Sequence, residues 1–445
     1  MLKVVGQDII SGAMGFIGTD SDRLYRMGAA EKTEDVTVTG NPAVLDNATG
    51  KPFRDLHIYG RSTQDGTPTP DAPVPIVNAG DGGSVAVKVT GRNILDMRNS
   101  RESVNGEGIT YTRSADYSFT RTGTATGTTG NVWIAGGYEQ RPAPDLSNVF
   151  CILLKGVQYS IKDCLLFAVT PISKHLTAQG DNFVPPVDMY ITGVRNEKFI
   201  LDKTYNDIVY PAVYVEAKAL PYEPYREQLL TMPTPNGLSG IPVASGGNYT
   251  DQSGQRWVCD EVDLARGVKV QRVKVKELSP DDQWTYQKLA NGNNNFQTHI
   301  INNEEIAGKA LPSICSILPF KNVIWNDNIQ NLPKIYVYEK EITASFPPSS
   351  EYSSLEVFKQ LLTDVKSVIY YVLAAPIETP LTTAEIAAYK SLRTYRGTTI
   401  VEARDKAGIS ATYKCNTKAA EKEVNILHAD LMAEMEELDE NSEIV

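Results

Sequence analysis

Residues 109–122 read Ile109-Thr110-Tyr111-Thr112-Arg113, then Ser114-Ala115-Asp116, then Tyr117-Ser118-Phe119-Thr120-Arg121-Thr122. Two short runs of β-branched and aromatic residues flank three small residues. Such side chains suit a pleated, half-buried surface, and Ser and Asp favour turns, so the stretch predicts two strands joined by a tight turn. Gly123-Thr124-Ala125-Thr126-Gly127 follows, and further short strands are expected at residues 150–154, 165–169, 189–191 and 208–215. Short strands with frequent turns point to an antiparallel β-sandwich over residues 93–226.

Working outward from this module, the chain divides by texture. Residues 1–39 show no clean period and are expected to form an assembly arm or a small subdomain. Residues 40–92 read as an extended connecting segment. Leu56-His57-Ile58-Tyr59 is a strand candidate within it, and four prolines between Gln64 and Ile76 exclude a helix or a central strand. Val85, Val87 and Val89 alternate with Ala86 and Lys88, as in a half-buried strand. Residues 227–275 predict a β-hairpin linker. Its arms flank Leu264-Ala265-Arg266-Gly267, and the alternation slips at Gln271-Arg272, where a bulge is expected.

Residues 276–416 predict a second β-rich module. A Ser353-x-x-Glu356 capping box is expected to open a helix with Val357, Phe358, Leu361, Leu362 and Val365 on one face. Thr382-x-x-Glu385 predicts a second helix start, and residues 367–374, 398–402 and 409–414 predict strands. Residues 417–445 predict a short charged helix. Its apolar seam of Val424, Leu427, Leu431 and Leu438 needs a partner surface, so these residues are the oligomerisation candidates.

Composition narrows the function classes. Hydrophobic residues make up 41% of the 445, enough for more than one core. Net charge is −11, from 43 basic and 54 acidic residues, which argues against nucleic acid as a partner. No stretch approaches the roughly 20 apolar residues of a membrane span. The first 18 residues carry one Lys and no long apolar run, unlike a secretion signal. Cys151, Cys164, Cys259, Cys315 and Cys415 form no C-x-x-C pair and read as isolated thiols, mostly buried, in a protein made in a reducing cytosol. With only four scattered histidines, no metal ligand set or cofactor motif stands out.

No hydrolase motif is present either, and no catalytic residue is assigned. Asp260, Glu261 and Asp263 are the densest carboxylate cluster, read as a solvated hairpin edge where charge blocks unwanted pairing. Pyranose rings offer C–H faces to π systems, so exposed aromatics of the sandwich are the binding candidates: Trp133 first, then Tyr138, Tyr111 and Tyr117. The competing reading of each is ordinary core or cross-strand packing.

Several ordered strings carry a resemblance. KPFRDLHIYGRSTQDGTPTPDAPVPIVNAG (residues 51–80) resembles the connecting segment of tail and baseplate structural proteins of phages that infect Gram-positive gut bacteria. Gly91-Arg92-Asn93-Ile94-Leu95, Gly123-Thr124-Ala125-Thr126-Gly127 and Leu220-Pro221-Tyr222-Glu223-Pro224-Tyr225 resemble their jelly-roll module. In that family the first string opens the sandwich, the second lies on an early strand and the third closes it. SGGNYTD and QRWVCDEVDLARGVKVQRV (residues 245–251 and 255–273) resemble the hairpin between modules, and residues 370–382 resemble the C-terminal module. The resemblance spans roughly residues 40–415.

It implies tandem jelly-roll-like sandwiches and a non-enzymatic virion protein made in the host cytoplasm. The expected partners are other tail proteins, sister chains (most naturally as a trimer) and host cell-surface polysaccharide. The alternatives are a purely architectural head-fibre or decoration protein and a polysaccharide depolymerase. The last normally needs a repetitive β-helix, and no such internal period is visible.

Overall fold

The computed structural model describes residues 33–130, 132–137, 149–170, 176–215, 221–299, 312–319, 333–338, 341–404 and 406–416. Of residues 1–32 it describes the backbone of three short strands, Lys3–Val4, Met14–Ile17 and Leu24–Met27, which pair antiparallel. The chain is mainly β, built from antiparallel sheets with two short helices.

An eleven-stranded sheet is the scaffold. Its order runs Glu227–Thr234, Gly83–Gly91, Arg396–Ala403, Ala43–Thr49, Gly408–Asn416, Asp55–Tyr59, Glu261–Asp263, Val268–Leu278, Ser367–Pro380, Ser313–Cys315; Thr33–Thr39 also pairs with Gly408–Asn416. Segments that read in sequence as arm, connector, linker and second module thus contribute strands to one sheet. Alternation places Leu45, Leu56, Ile58, Val85, Val87, Val89, Val262 and Ile409 in a common core on one face. Helix α2, Thr383–Ser391, adds Tyr389 to that core, and its capping Leu392 packs there too. The proline run after Gln64 forms no helix or central strand, but it is not extended as expected. Ser62–Thr63 and Val77–Asn78 pair antiparallel at its ends, and Thr69 and Ala72 exchange backbone hydrogen bonds at its tip. It therefore folds back as a hairpin, with the Gln64 amide donating to the carbonyls of Val74 and Cys315.

Two modules are inserted at strand ends of this scaffold. Glu227–Thr234 pairs with Gly83–Gly91 along its whole length, with Glu227 opposite Thr90, and everything between these strands forms the sandwich. One sandwich sheet holds Ser103–Gly106, Ile109–Arg113, Phe119–Thr124 and Thr204–Val209. The other holds Trp133–Gly136, Cys151–Leu153, Met189–Arg195, Tyr159–Val169, Ala212–Tyr214 and Leu176–Phe183. Ile109, Tyr111 and Phe119 from the first meet Ile134, Leu166, Met189, Ile191 and Val194 from the second in one core. The expected strand 208–215 is in fact two: Thr204–Val209 pairs in the first sheet and Ala212–Tyr214 in the second. Pro211 lies between them and has no amide to give a ladder.

In the same way Leu278 lies opposite Ser367, and the described chain between them forms the smaller module, apart from Ser313–Cys315, which returns to the scaffold. Its four strands, Thr285–Lys288, Asn294–His299, Glu341–Phe346 and Lys334–Tyr338, pack with helix α1, Leu355–Asp364, over Leu278, Cys315, Ile369 and Tyr371 of the scaffold. The cap of α1 is Ser354, one residue beyond the predicted Ser353, and its hydroxyl accepts from Val357 N. Phe358, Leu361 and Leu362 are buried as expected, while Val357 is exposed.

The predicted bulge is present between Gln271 and Val273. Asp260, Glu261 and Asp263 correct the sequence reading. They are buried, and Glu261–Asp263 is paired on both sides rather than lying at an edge. Their charges are matched locally: Glu261 accepts from Arg272 and Asn248, and Asp263 from the amide of Arg266.

Candidate glycan-binding face and inter-module cleft

Strand Met189–Arg195 organises the outer surface of the second sandwich sheet. Met189, Ile191 and Val194 point into the core, leaving Tyr190, Thr192 and Arg195 outward. A register irregularity at Phe167–Ala168 places Gly193 on the outward side as well. A Cβ there would come within 2.5 Å of the Trp133 ring and 2.6 Å of the Gly137 carbonyl, so only glycine leaves room for the indole to lie against the strand. Trp133 is partly exposed and sits 4.7 Å from Phe167, centroid to centroid, with planes inclined by 50°. The Arg195 guanidinium lies 4.9 Å from the Phe167 centroid. The result is an aromatic platform edged by a cation, with apolar faces for pyranose C–H groups and donors for hydroxyls.

The other aromatic candidates are placed differently. Tyr111 is 1% exposed, inside the core near Phe199, and burial pushes its hydroxyl up to about 12, so it is not a surface contact. Inward alternation along Ile109–Arg113 is the physical reason. Tyr117, at a φ of 65°, packs against the core edge with the Arg113 guanidinium 5.8 Å from its ring, away from the Trp133 strand. Tyr138 and the oligomerisation candidates Val424, Leu427, Leu431 and Leu438 lie outside the described residues. Phe167, Gly193 and Arg195 were not legible as partners of Trp133, because strands distant in sequence carry them.

Tyr190 and Thr192 continue the same outer face into a cleft of about 1080 Å³ between sandwich and scaffold. Its sandwich wall carries Asp96, Arg98, Phe150 and Asp188; the scaffold wall carries Arg61, Lys88, Glu402, Arg404 and Lys406. The strings at the module boundary are tied to one another. Arg92 pairs with Glu223 at 2.9 Å. Asn93, buried, donates to Glu223 O and accepts from the amides of Leu95 and Val213. The residues that resemble a module opening and closing are therefore fastened to one another.

One group has the donor types of a cation site: Asp55, His57 and Asp263, with ligand atoms all within 4.8 Å. It is internally paired, His57 Nε2 with Asp55 at 2.8 Å and Asp263 with the Arg266 amide. Among the described residues no helix is long and apolar enough to cross a membrane. Compared with known proteins, the chain matches no family model, no curated protein and no solved structure.

Proposed function

We propose that this chain is a non-enzymatic structural protein of a phage tail, at the baseplate or tail tip, that contributes to host attachment by weak, multivalent glycan binding. The placement in a tail rests on the ordered strings of residues 40–415. The glycan reading rests on one observation: the partly exposed Trp133 ring seated over Gly193 beside Phe167 and Arg195. A single shallow aromatic platform binds sugars weakly, so useful adhesion requires many copies acting together. Sister chains, as a trimer, and neighbouring tail proteins are the proposed partners that supply those copies.

A purely architectural role is the second reading. It is favoured by the Arg92–Glu223 and Asn93 contacts, because the strings most alike to the tail family then serve as junctions between modules. Cell binding by the native chain and by its Trp133→Ala variant decides between the two. The platform is outside the core, so the variant should keep its fold and its mass by light scattering while binding to host cells falls several-fold. Unchanged cell binding by a folded Trp133→Ala protein removes the Trp133 platform, and a native chain that binds no host cells leaves the architectural reading.

A further inference from the structure

The charges lining the cleft are not equally occupied. Asp96 receives Arg98 Nε at 2.8 Å and Nη2 at 2.7 Å. Glu227 receives Arg98 Nη2 and the Tyr225 hydroxyl, both at 2.5 Å. Asp188 accepts the Lys155 amide at 2.8 Å, and Glu402 lies 3.8 Å from Lys88. Every carboxylate of the described lining thus has a donor or a cation. Arg404 and Lys406, both exposed on the scaffold wall, make no ion pair among the described residues. Arg61 beside them pairs with Asp251 at 3.4 Å, but its buried Nε–H has no acceptor.

The described residues on either side of these two cations are anchored by one side chain. Asn41 Nδ2 donates to Ala403 O at 2.7 Å and to Ala407 O at 2.8 Å, and its Oδ1 accepts the Ala403 amide at 3.0 Å. Three hydrogen bonds of one side chain thus tie down Ala403 and Ala407, which flank the two cations. Tyr190 and Thr192 line the same cleft, and Leu229, 58% exposed, offers an apolar surface to it.

We propose that this cleft binds an acidic oligosaccharide, with its carboxylate or phosphate groups against Arg404 and Lys406 and its ring faces against Tyr190 and Leu229. The inference deepens the glycan-binding reading and rests on it. It differs from the Trp133 platform in place and in chemistry: the platform reads ring faces, and the cleft reads charge.

The test uses the full chain and matched probes: galacturonate oligomers against galactose oligomers of equal length, phosphorylated mannan against mannan, and oligothymidylate. Binding is measured calorimetrically for the native chain, for Arg404→Ala/Lys406→Ala and for Trp133→Ala. Both cations are exposed, so the double variant should unfold at the native midpoint. The native chain is expected to favour the acidic member of at least one sugar pair. That preference should fall about tenfold in the double variant, as for two exposed charge contacts, and weaken as salt rises. Whether the carboxylate or the phosphate pair responds identifies the source of the charge. Equal binding of acidic and neutral oligomers, an unaffected double variant, or equally tight oligothymidylate binding overturns the proposal. Loss of cell binding in Trp133→Ala, together with no acidic preference in the native chain, removes the cleft assignment alone. Acidic binding that persists with no Trp133 effect on cells removes the platform instead.

Discussion

Asp260 stands where the chain leaves strand Arg256–Cys259, which pairs with Gly240–Val243 and Tyr249–Thr250, and enters the scaffold at Glu261. Its Oδ1 accepts the amides of Arg272 at 2.7 Å and Val273 at 2.9 Å, and its Oδ2 accepts that of Ser239 at 3.1 Å. The carboxylate thereby satisfies the amides that the bulge frees from the ladder. Burial is the largest influence on its titration and pushes it up to about 6, while the three amide donors pull the other way. The folded value exceeds the 3.8 of a free aspartate, so the folded state holds the proton more tightly. The stabilisation from this group is therefore complete below about pH 4 and is lost as pH rises through about 6. Asp260→Asn cannot titrate. Between about pH 4 and pH 7 the native chain should lose up to about 3 kcal/mol relative to that variant. Denaturant titrations of both proteins at the two pH values measure this, and parallel pH profiles would refute it.

At the scale of elements, short signals were readable where their chemistry is local. The Thr382 hydroxyl accepts the Glu385 amide at 3.2 Å, and the Glu385 carboxylate accepts the Thr382 amide at 2.7 Å, which is the reciprocal box the sequence announced. Glu385 also reaches across to Lys269 of the scaffold at 2.9 Å, tying α2 to the sheet it covers. Thr382→Ala removes the hydroxyl half of the box and should cost about 0.5–2 kcal/mol. Thermal or denaturant unfolding reads that loss, and an unchanged midpoint would mean that packing of Tyr389 and Leu392 alone holds α2. The box at α1 was misread by one residue, because Ser353 and Ser354 are adjacent and only the approach of the chain selects the cap. The strand expected at 208–215 failed for a related reason: β-propensity marks both halves, and the crossing between sheets at Pro211 is a tertiary event.

At the scale of the whole molecule, one large sheet carries both inserted modules, and its strand register makes that checkable. Thr90 and Glu227 face each other as partners, and the amide of Gly91 bonds Arg226 O at 3.2 Å. A turn of about two residues therefore suffices to close these strands once the sandwich is removed. Replacing residues 92–226 by such a turn should leave a scaffold that unfolds cooperatively, and residues 93–226 alone should fold around their own core of Tyr111, Phe119, Leu166 and Ile191. Circular dichroism and size-exclusion chromatography of the two pieces check this. Aggregation of the shortened scaffold and an unfolded isolated sandwich would show instead that the junction contacts of Arg92, Asn93 and Glu223 are required by both.

By itself the sequence determined the mainly β class, the sandwich, the bulge at Gln271, the α2 box and Trp133 as an aromatic of the sandwich. Each depends on side-chain alternation, turn residues or capping chemistry within a few positions of the chain. Tertiary structure alone decided that strands from residues 33–91, 227–234, 261–278, 313–315 and 367–416 share a sheet, because pairing between strands hundreds of residues apart leaves no local pattern. It also decided which aromatics are surface. Tyr111 and Trp133 look alike in sequence, yet one faces the core and the other rests on Gly193. The cleft cations that find no ion pair among the described residues belong to the same class. Charge is legible residue by residue, but whether Arg404 and Lys406 meet a carboxylate depends on how a sandwich inserted after Gly91 comes to face the segment that Asn41 anchors at Ala403 and Ala407.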